Sequence, residues 1–184
     1  AALVSSGGAP RASIYMGKQD NESAEQILGN CFVLQIVVSI ILTFVLLIWS
    51  KDLLLAFGAS TNTIRYATDY MRIYAFGTLF VQLTLGMNAF ITAQGFTTIS
   101  MVSVLIGAIC NISLDPVLIF GFHMGVKGAA LATILSQAIS MVWVVLFLCG
   151  KKTQIHLRRN NMRLTPRVII PCVTLGLAAF IMQA

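Results

Sequence analysis

The sequence predicts an all-α protein that crosses a membrane several times. Three observations carry that class. Hydrophobic residues make up 58% of the chain and charged residues only 10%, with a mean hydropathy of +0.88; a soluble domain carries about 25% charged residues. The apolar residues gather in runs of about 20, the length a helix needs to span a hydrocarbon core. The net charge of +6 is unevenly placed, with six of the twelve Lys and Arg residues in one loop at 150–167. A water-soluble core could not hide this much apolar surface, so aqueous-enzyme and nucleic-acid readings are poor starting points.

Residues 1–16 are small and moderately apolar and read as the last turns of a helix. Arg11 interrupts this segment, so it is not a signal peptide. The chain opens without an initiator methionine and stops at Ala184 inside an apolar run, and is read as an internal piece of a longer membrane protein. Polar residues 17–23 form a loop, with Ser23 placed to cap the next helix. The first complete span runs from about Ala24 to Trp49 and carries a mild polar stripe, Gln35, Ser39 and Thr43, suited to helix packing. Ser50-Lys-Asp52 leads into a short turn at Phe57-Gly-Ala-Ser60.

The second span runs from near Asn62 to near Gln94. Arg65, Asp69 and Arg72 fall at helical spacings near its start and can pair with one another at the interface. Gln82 and Asn88 are candidate cavity-lining amides, and Gly86 permits close helix approach. After a tight turn at 95–98, the third span covers about Ile99 to Gly121. A loop at 122–127 precedes the fourth span, Gly128 to about Cys149, whose small-residue start, Gly128-Ala-Ala-Leu-Ala132, should pack tightly. Beyond the basic loop another span begins near Val168.

The basic loop sets the orientation, because cytoplasmic loops carry the excess of Lys and Arg. Alternating the spans puts eight basic residues inside (Arg11, Lys18, Lys151, Lys152, Arg158, Arg159, Arg163, Arg167) and four outside (Lys51, Arg65, Arg72, Lys127). This topological role explains the loop without nucleic acid, for which it lacks interleaved aromatics.

The chemistry concentrates in the third span. Asn111 and Asp115 lie four residues apart, on one helical face. Pro116 follows directly and has no N–H for the Ile112 carbonyl. Asp115 and Thr133 both fall roughly 8–9 Å below the outer ends of their helices at 1.5 Å per residue, so Asn111, Asp115 and Thr133 can converge. Gln137 lies one turn deeper on the Thr133 face. Two readings of Asp115 stay open. It is either satisfied permanently by Asn111, Thr133 and the Ile112 carbonyl, locking the hairpin, or it exchanges a proton or sodium ion while its helix changes shape at Pro116.

Other sites find little support. Cys31, Cys110, Cys149 and Cys172 lie singly within or at the ends of apolar runs, without metal-ligand spacing, and read as small buried apolar groups. No phosphate loop, nucleophile elbow or zinc-protease motif is present, and nothing points to an enzyme or a cofactor. The glycosylation patterns at Asn111-Ile-Ser113 and Asn21-Glu-Ser23 fall at membrane depth and on the inner side.

Three segments carry a resemblance: Gly86-Met-Asn-Ala-Phe-Ile-Thr-Ala-Gln-Gly95, Asn111-Ile-Ser-Leu-Asp-Pro-Val-Leu-Ile-Phe-Gly121 and Gly125-Val-Lys-Gly-Ala-Ala-Leu-Ala-Thr-Ile-Leu-Ser-Gln137. They resemble the multidrug and toxic compound extrusion (MATE) family, in its bacterial multidrug-efflux branch. Gly7-Gly-Ala-Pro-Arg-Ala-Ser-Ile-Tyr-Met-Gly17 resembles the end of that family's second helix.

The resemblance implies a twelve-helix, two-bundle transporter in the cell membrane, of which this chain runs from the end of helix two to the start of helix seven. Residues 1–149 would belong to the first bundle, 150–167 would link the bundles on the cytoplasmic side, and 168–184 would begin the second. It implies antiport of drugs or organic, cationic substrates against protons or sodium, with the missing helices of the same chain and the bilayer as partners. Asn111, Asp115 and Thr133 match a cation site of that family, with sodium possible at Asp115. Two other functions remain: a flippase for lipid or polysaccharide substrates on the same fold, and a non-transporting bundle in which the polar cluster only packs.

Overall fold

Among the residues that the computed structural model describes, six helices follow one another: α1 (Ala2–Gly17), α2 (Asn21–Ala56), α3 (Ile64–Ala93), α4 (Thr97–Pro116), α5 (Val126–Cys149) and α6 (Pro166–Gln183). A π-helical turn, Val117–Gly121, extends α4. The structure describes residues 1–56, 64–158, 161–162 and 164–183. The turn expected at 57–60 and the helix start expected at Asn62 lie outside the described residues, as does the side chain of Arg65.

Among the described residues four helices, α2 to α5 (α4 together with its π turn), are long and apolar enough to cross a membrane. Their packing is that of a protein whose solvent is hydrocarbon. Only 11% of the most apolar window of α4 is buried inside the molecule, while Ile109, Ile112 and Phe120 are exposed. On α5 the buried residues are Gly128, Ala130, Ala132, Ser136, Ser140, Val144 and Leu148, mostly small. Lipid tails are as apolar as leucine, so association rests on close backbone approach and interhelical hydrogen bonds, and small residues collect inside. A Cβ on Gly107 of α4 would come within 2.6 Å of Ser140 Oγ, and one on Gly128 within 2.8 Å of the Leu118 carbonyl.

Several ends differ from the sequence expectation. The helix after the first loop begins at Asn21, and its cap is Asp20, not Ser23: Asp20 Oδ1 accepts the Ser23 backbone N–H at 3.1 Å. Hydrogen bonds from Ser23 hold this carboxyl below its ordinary value. At the far end α2 continues to Ala56 instead of stopping at Trp49, where it bends (φ −102°, ψ 16°). Asp69 is paired with Lys127 at the start of α5, at 3.3 Å, and so joins α3 to α5. The helix of the last span starts at Pro166, because proline at a first helical position forfeits only an N–H that would lack a partner anyway.

The C-terminal ends of α1, α3 and α5 and the N-terminal end of α2 meet the loop after α5 and the start of α6 in one apolar core. It includes Ala12, Leu28, Cys31, Met87, Phe90, Ile91, Leu148, Ile155 and Cys172. Gly7 lets α1 lie directly on the Cys172 carbonyl of α6.

Candidate functional site

The polar groups inside the bundle form two levels. The lower one is structural. Asn88 of α3 donates from Nδ2 to Ser103 Oγ of α4 at 2.7 Å, and Ser140 of α5 donates to the Ser103 carbonyl at 2.9 Å. Asn88 is only 8% exposed. Its amide, expected to line a cavity, bonds Ser103 and so joins α3 to α4, while Ser140 ties α5 to the same residue. In a membrane, hydrogen bonds of this kind hold helices to one another.

The upper level holds the residues of the candidate site. Helical spacing puts Asn111 and Asp115 one turn apart on α4, and α5 brings Thr133 across from them. Asn111 Nδ2 donates to Thr133 Oγ1 at 3.4 Å. The Thr133 hydroxyl donates in turn to the Ala129 carbonyl at 3.0 Å, leaving its oxygen free to accept. The expected convergence of Asn111 and Thr133 is therefore present. Asp115 stands outside this chain of bonds: its Oδ1 is buried and has no hydrogen-bond partner. A buried acceptor left unmade costs about 1–3 kcal/mol, and more when charged.

Pro116 does not break the helix sharply. It keeps helical angles (φ −64°, ψ −33°), and the chain then widens into the π turn. The Phe122 N–H reaches the Val117 carbonyl at 3.0 Å, five residues back. The Val117 N–H, next after the proline, bonds the Leu114 carbonyl three residues back, so the pitch tightens at Pro116 before it widens; π turns of this sort often mark functional sites. The expected kink is thus a change of helical pitch directly after Asp115.

The remaining candidates separate. The backbone carbonyl of Gln137 accepts from Thr84 Oγ1 at 3.4 Å, joining α5 to α3. Gln82 Oε1 is buried without a partner. Of the polar stripe on α2, Thr43 donates to the Ala75 carbonyl at 2.9 Å, and Ser39 turns back on Ile36 at 2.8 Å. Gln35 behaves differently. It is 1% exposed, neither of its amide atoms has a partner, and it lies directly over Gly86. The sequence signal for Gln35 was its place in a stripe, which cannot separate a packing hydroxyl from an unpaired amide. Among the described residues no group of three or more His, Cys, Asp or Glu side chains could hold a metal ion.

A family model described as MatE matches residues 1–117. The chain is 29% identical over 180 residues to the multidrug export protein MepA of Staphylococcus haemolyticus (strain JCSC1435), covering 98% of this chain and 40% of that protein. It superposes with a TM-score of 0.88 at 22% identity on an inward-facing multidrug resistance MATE family transporter of the MOP superfamily, over 96% of this chain and 40% of that one. An outward-facing structure of such a transporter gives 0.89 at 22% identity, over 99% and 41%. The chain spans about two fifths of the length of the curated relatives it matches.

Proposed function

The chain belongs to the MatE family, matched over residues 1–117, and from that premise we propose that it is the ion-coupling part of a secondary antiporter that exports organic cations from the cell. It sits in the cell membrane as a multi-pass helical protein. Asp115 takes up the coupling proton or sodium ion, Asn111 and Thr133 orient that site, and the π turn after Pro116 carries the change to the outer hairpin. The single observation behind this reading is the buried, unpartnered Oδ1 of Asp115 beside a bonded Asn111–Thr133 pair. A purely structural acid would have taken those bonds for itself, because an unpaired polar atom at membrane depth is unfavourable. Multidrug export is what the MepA relative is named for, and it supports drugs as the cargo. Matching folds in an inward-facing and an outward-facing relative support a unit compatible with both states.

Asp115→Asn in the full-length protein tests the reading. The replacement is nearly isosteric and removes the charge. The mutant inserts and is expressed like wild type, but an imposed proton or sodium gradient no longer drives efflux of an organic cation from proteoliposomes. Undiminished gradient-driven efflux would leave Asp115 a packing residue.

A further inference from the structure

The loop after α5 looks in sequence like a tether, polar and basic, between two bundles. Its structure is not that of a tether. Ile155 is fully buried and Leu157 is 8% exposed, both in the inner apolar core. The centre of the contact is Gln94, at the end of α3 and itself 7% exposed. Its Oε1 accepts from Thr153 Oγ1 at 2.6 Å, from the Gln154 N–H at 2.9 Å and from the Ile155 N–H at 3.3 Å. Its Nε2 donates to the Phe90 carbonyl at 3.3 Å, which aims the oxygen at the loop.

Two further side chains of α2 add to the hold. Glu25, 7% exposed, accepts from the His156 N–H at 3.0 Å and lies 3.3 Å from His156 Nδ1 and 3.4 Å from Arg158 Nε. Asn30 Oδ1 accepts the Thr165 N–H at 2.7 Å, one residue before α6. Arg11 of α1 then donates to the Val168 carbonyl in the first turn of α6, at 3.2 Å. Backbone donors that a free linker would leave to water are thus taken by α2 and α3, while α1 grips the start of α6. The described residues of the loop are held this way at several points, unlike a flexible linker whose ends move independently.

We propose that residues 150–158 form a strap held on the first bundle, and that Gln94 is a positioning residue that, alongside the direct contact of α1 with α6, passes movement of that bundle towards α6. The strap rests on the export reading above for its purpose, but not for its geometry. Gln94 touches neither the cargo nor the ion. It acts by fixing Thr153, Gln154 and Ile155, and through them the approach to Pro166.

The test uses the full-length protein, with Gln94→Leu, Gln94→Glu and Thr153→Val. Amide hydrogen exchange reads the strap, ethidium efflux from proteoliposomes reads transport, and ethidium binding to purified protein reads the cargo site. In Gln94→Leu the 154 and 155 amides lose a buried acceptor, and their exchange rises about ten-fold. The maximal efflux rate falls severalfold while ethidium affinity stays at the wild-type value. A glutamate keeps one accepting oxygen but loses the donation to the Phe90 carbonyl and sets its second oxygen against it, so Gln94→Glu recovers only part of the protection and efflux that Gln94→Leu loses. Thr153→Val removes one donor only and gives an intermediate result, readable even if Gln94→Leu fails to insert. Faster exchange with unchanged efflux would overturn the coupling role, and unchanged exchange would overturn the strap. A wild-type protein that moves no ethidium under any gradient would overturn the export reading, and the coupling role with it, without involving the variants.

Discussion

Asn111 of α4 spends its amide on Thr133 of α5, at 3.4 Å, rather than on Asp115 one turn above it. That pairing makes Thr133 the lever on the acid's surroundings. Thr133→Val keeps the volume and removes the accepting oxygen, so the Asn111 amide is left unpaired at a cost of about 1–2 kcal/mol. The variant folds with a slightly lowered unfolding temperature, and its gradient-driven efflux falls severalfold at matched expression. Efflux equal to wild type would show that the Asn111–Thr133 pair only packs the hairpin.

Gln35 and Gly86 form a second testable pair. A Cβ on Gly86 would land on the Gln35 amide, so Gly86→Ala overpacks the α2–α3 contact and destabilises by about 1–3 kcal/mol. Removing the obstacle in Gly86→Ala with Gln35→Ala recovers most of the loss, a coupling expected only of residues in contact. Gln35→Met alone is neutral or stabilising, because the amide it replaces is buried without a partner. Unfolding temperatures of the purified full-length variants measure all three, and equal losses in the single and double alanine variants would refute the contact.

Pro116→Ala restores the missing donor and lets the π turn relax to ordinary helix. The Leu118 carbonyl that meets Gly128 then shifts along the chain. Neighbouring helices tolerate such local adjustment in a membrane, so expression holds while gradient-driven efflux drops severalfold. A well-expressed variant with wild-type efflux would remove the π turn from the transport cycle.

Orientation follows from charge. Lys152 and His123 are both exposed, in the basic loop and the outer hairpin respectively. In a cysteine-free background, a membrane-impermeant thiol reagent applied to intact cells labels a cysteine at 123 and not at 152. Labelling at 152 from outside would invert the topology.

Helix number among the described residues, most span limits to within a few residues, and the approach of Asn111 to Thr133 were legible in the residues. They depend on local quantities: run length, 3.6-residue periodicity and the rise per residue. The misses have physical causes too. Ser23 and Asp20 are both competent caps, and only the chain path chose Asp20. Asp69, with neighbours of opposite charge on its own helix, also pairs with Lys127 on another, a contact no local pattern announces.

What the sequence determined by itself was the membrane class and the polar groups inside it, because the cost of exposing or burying a side chain is a property of that side chain. The tertiary structure alone decided how those groups are spent. Asn88 ties down Ser103, Gln94 and Glu25 bind a loop about 60 and 130 residues further along, and Asp115 and Gln35 are left unpaired. Hydrogen bonds are short and directional, so which amide meets which partner is settled only when helices distant in sequence take up their crossing positions.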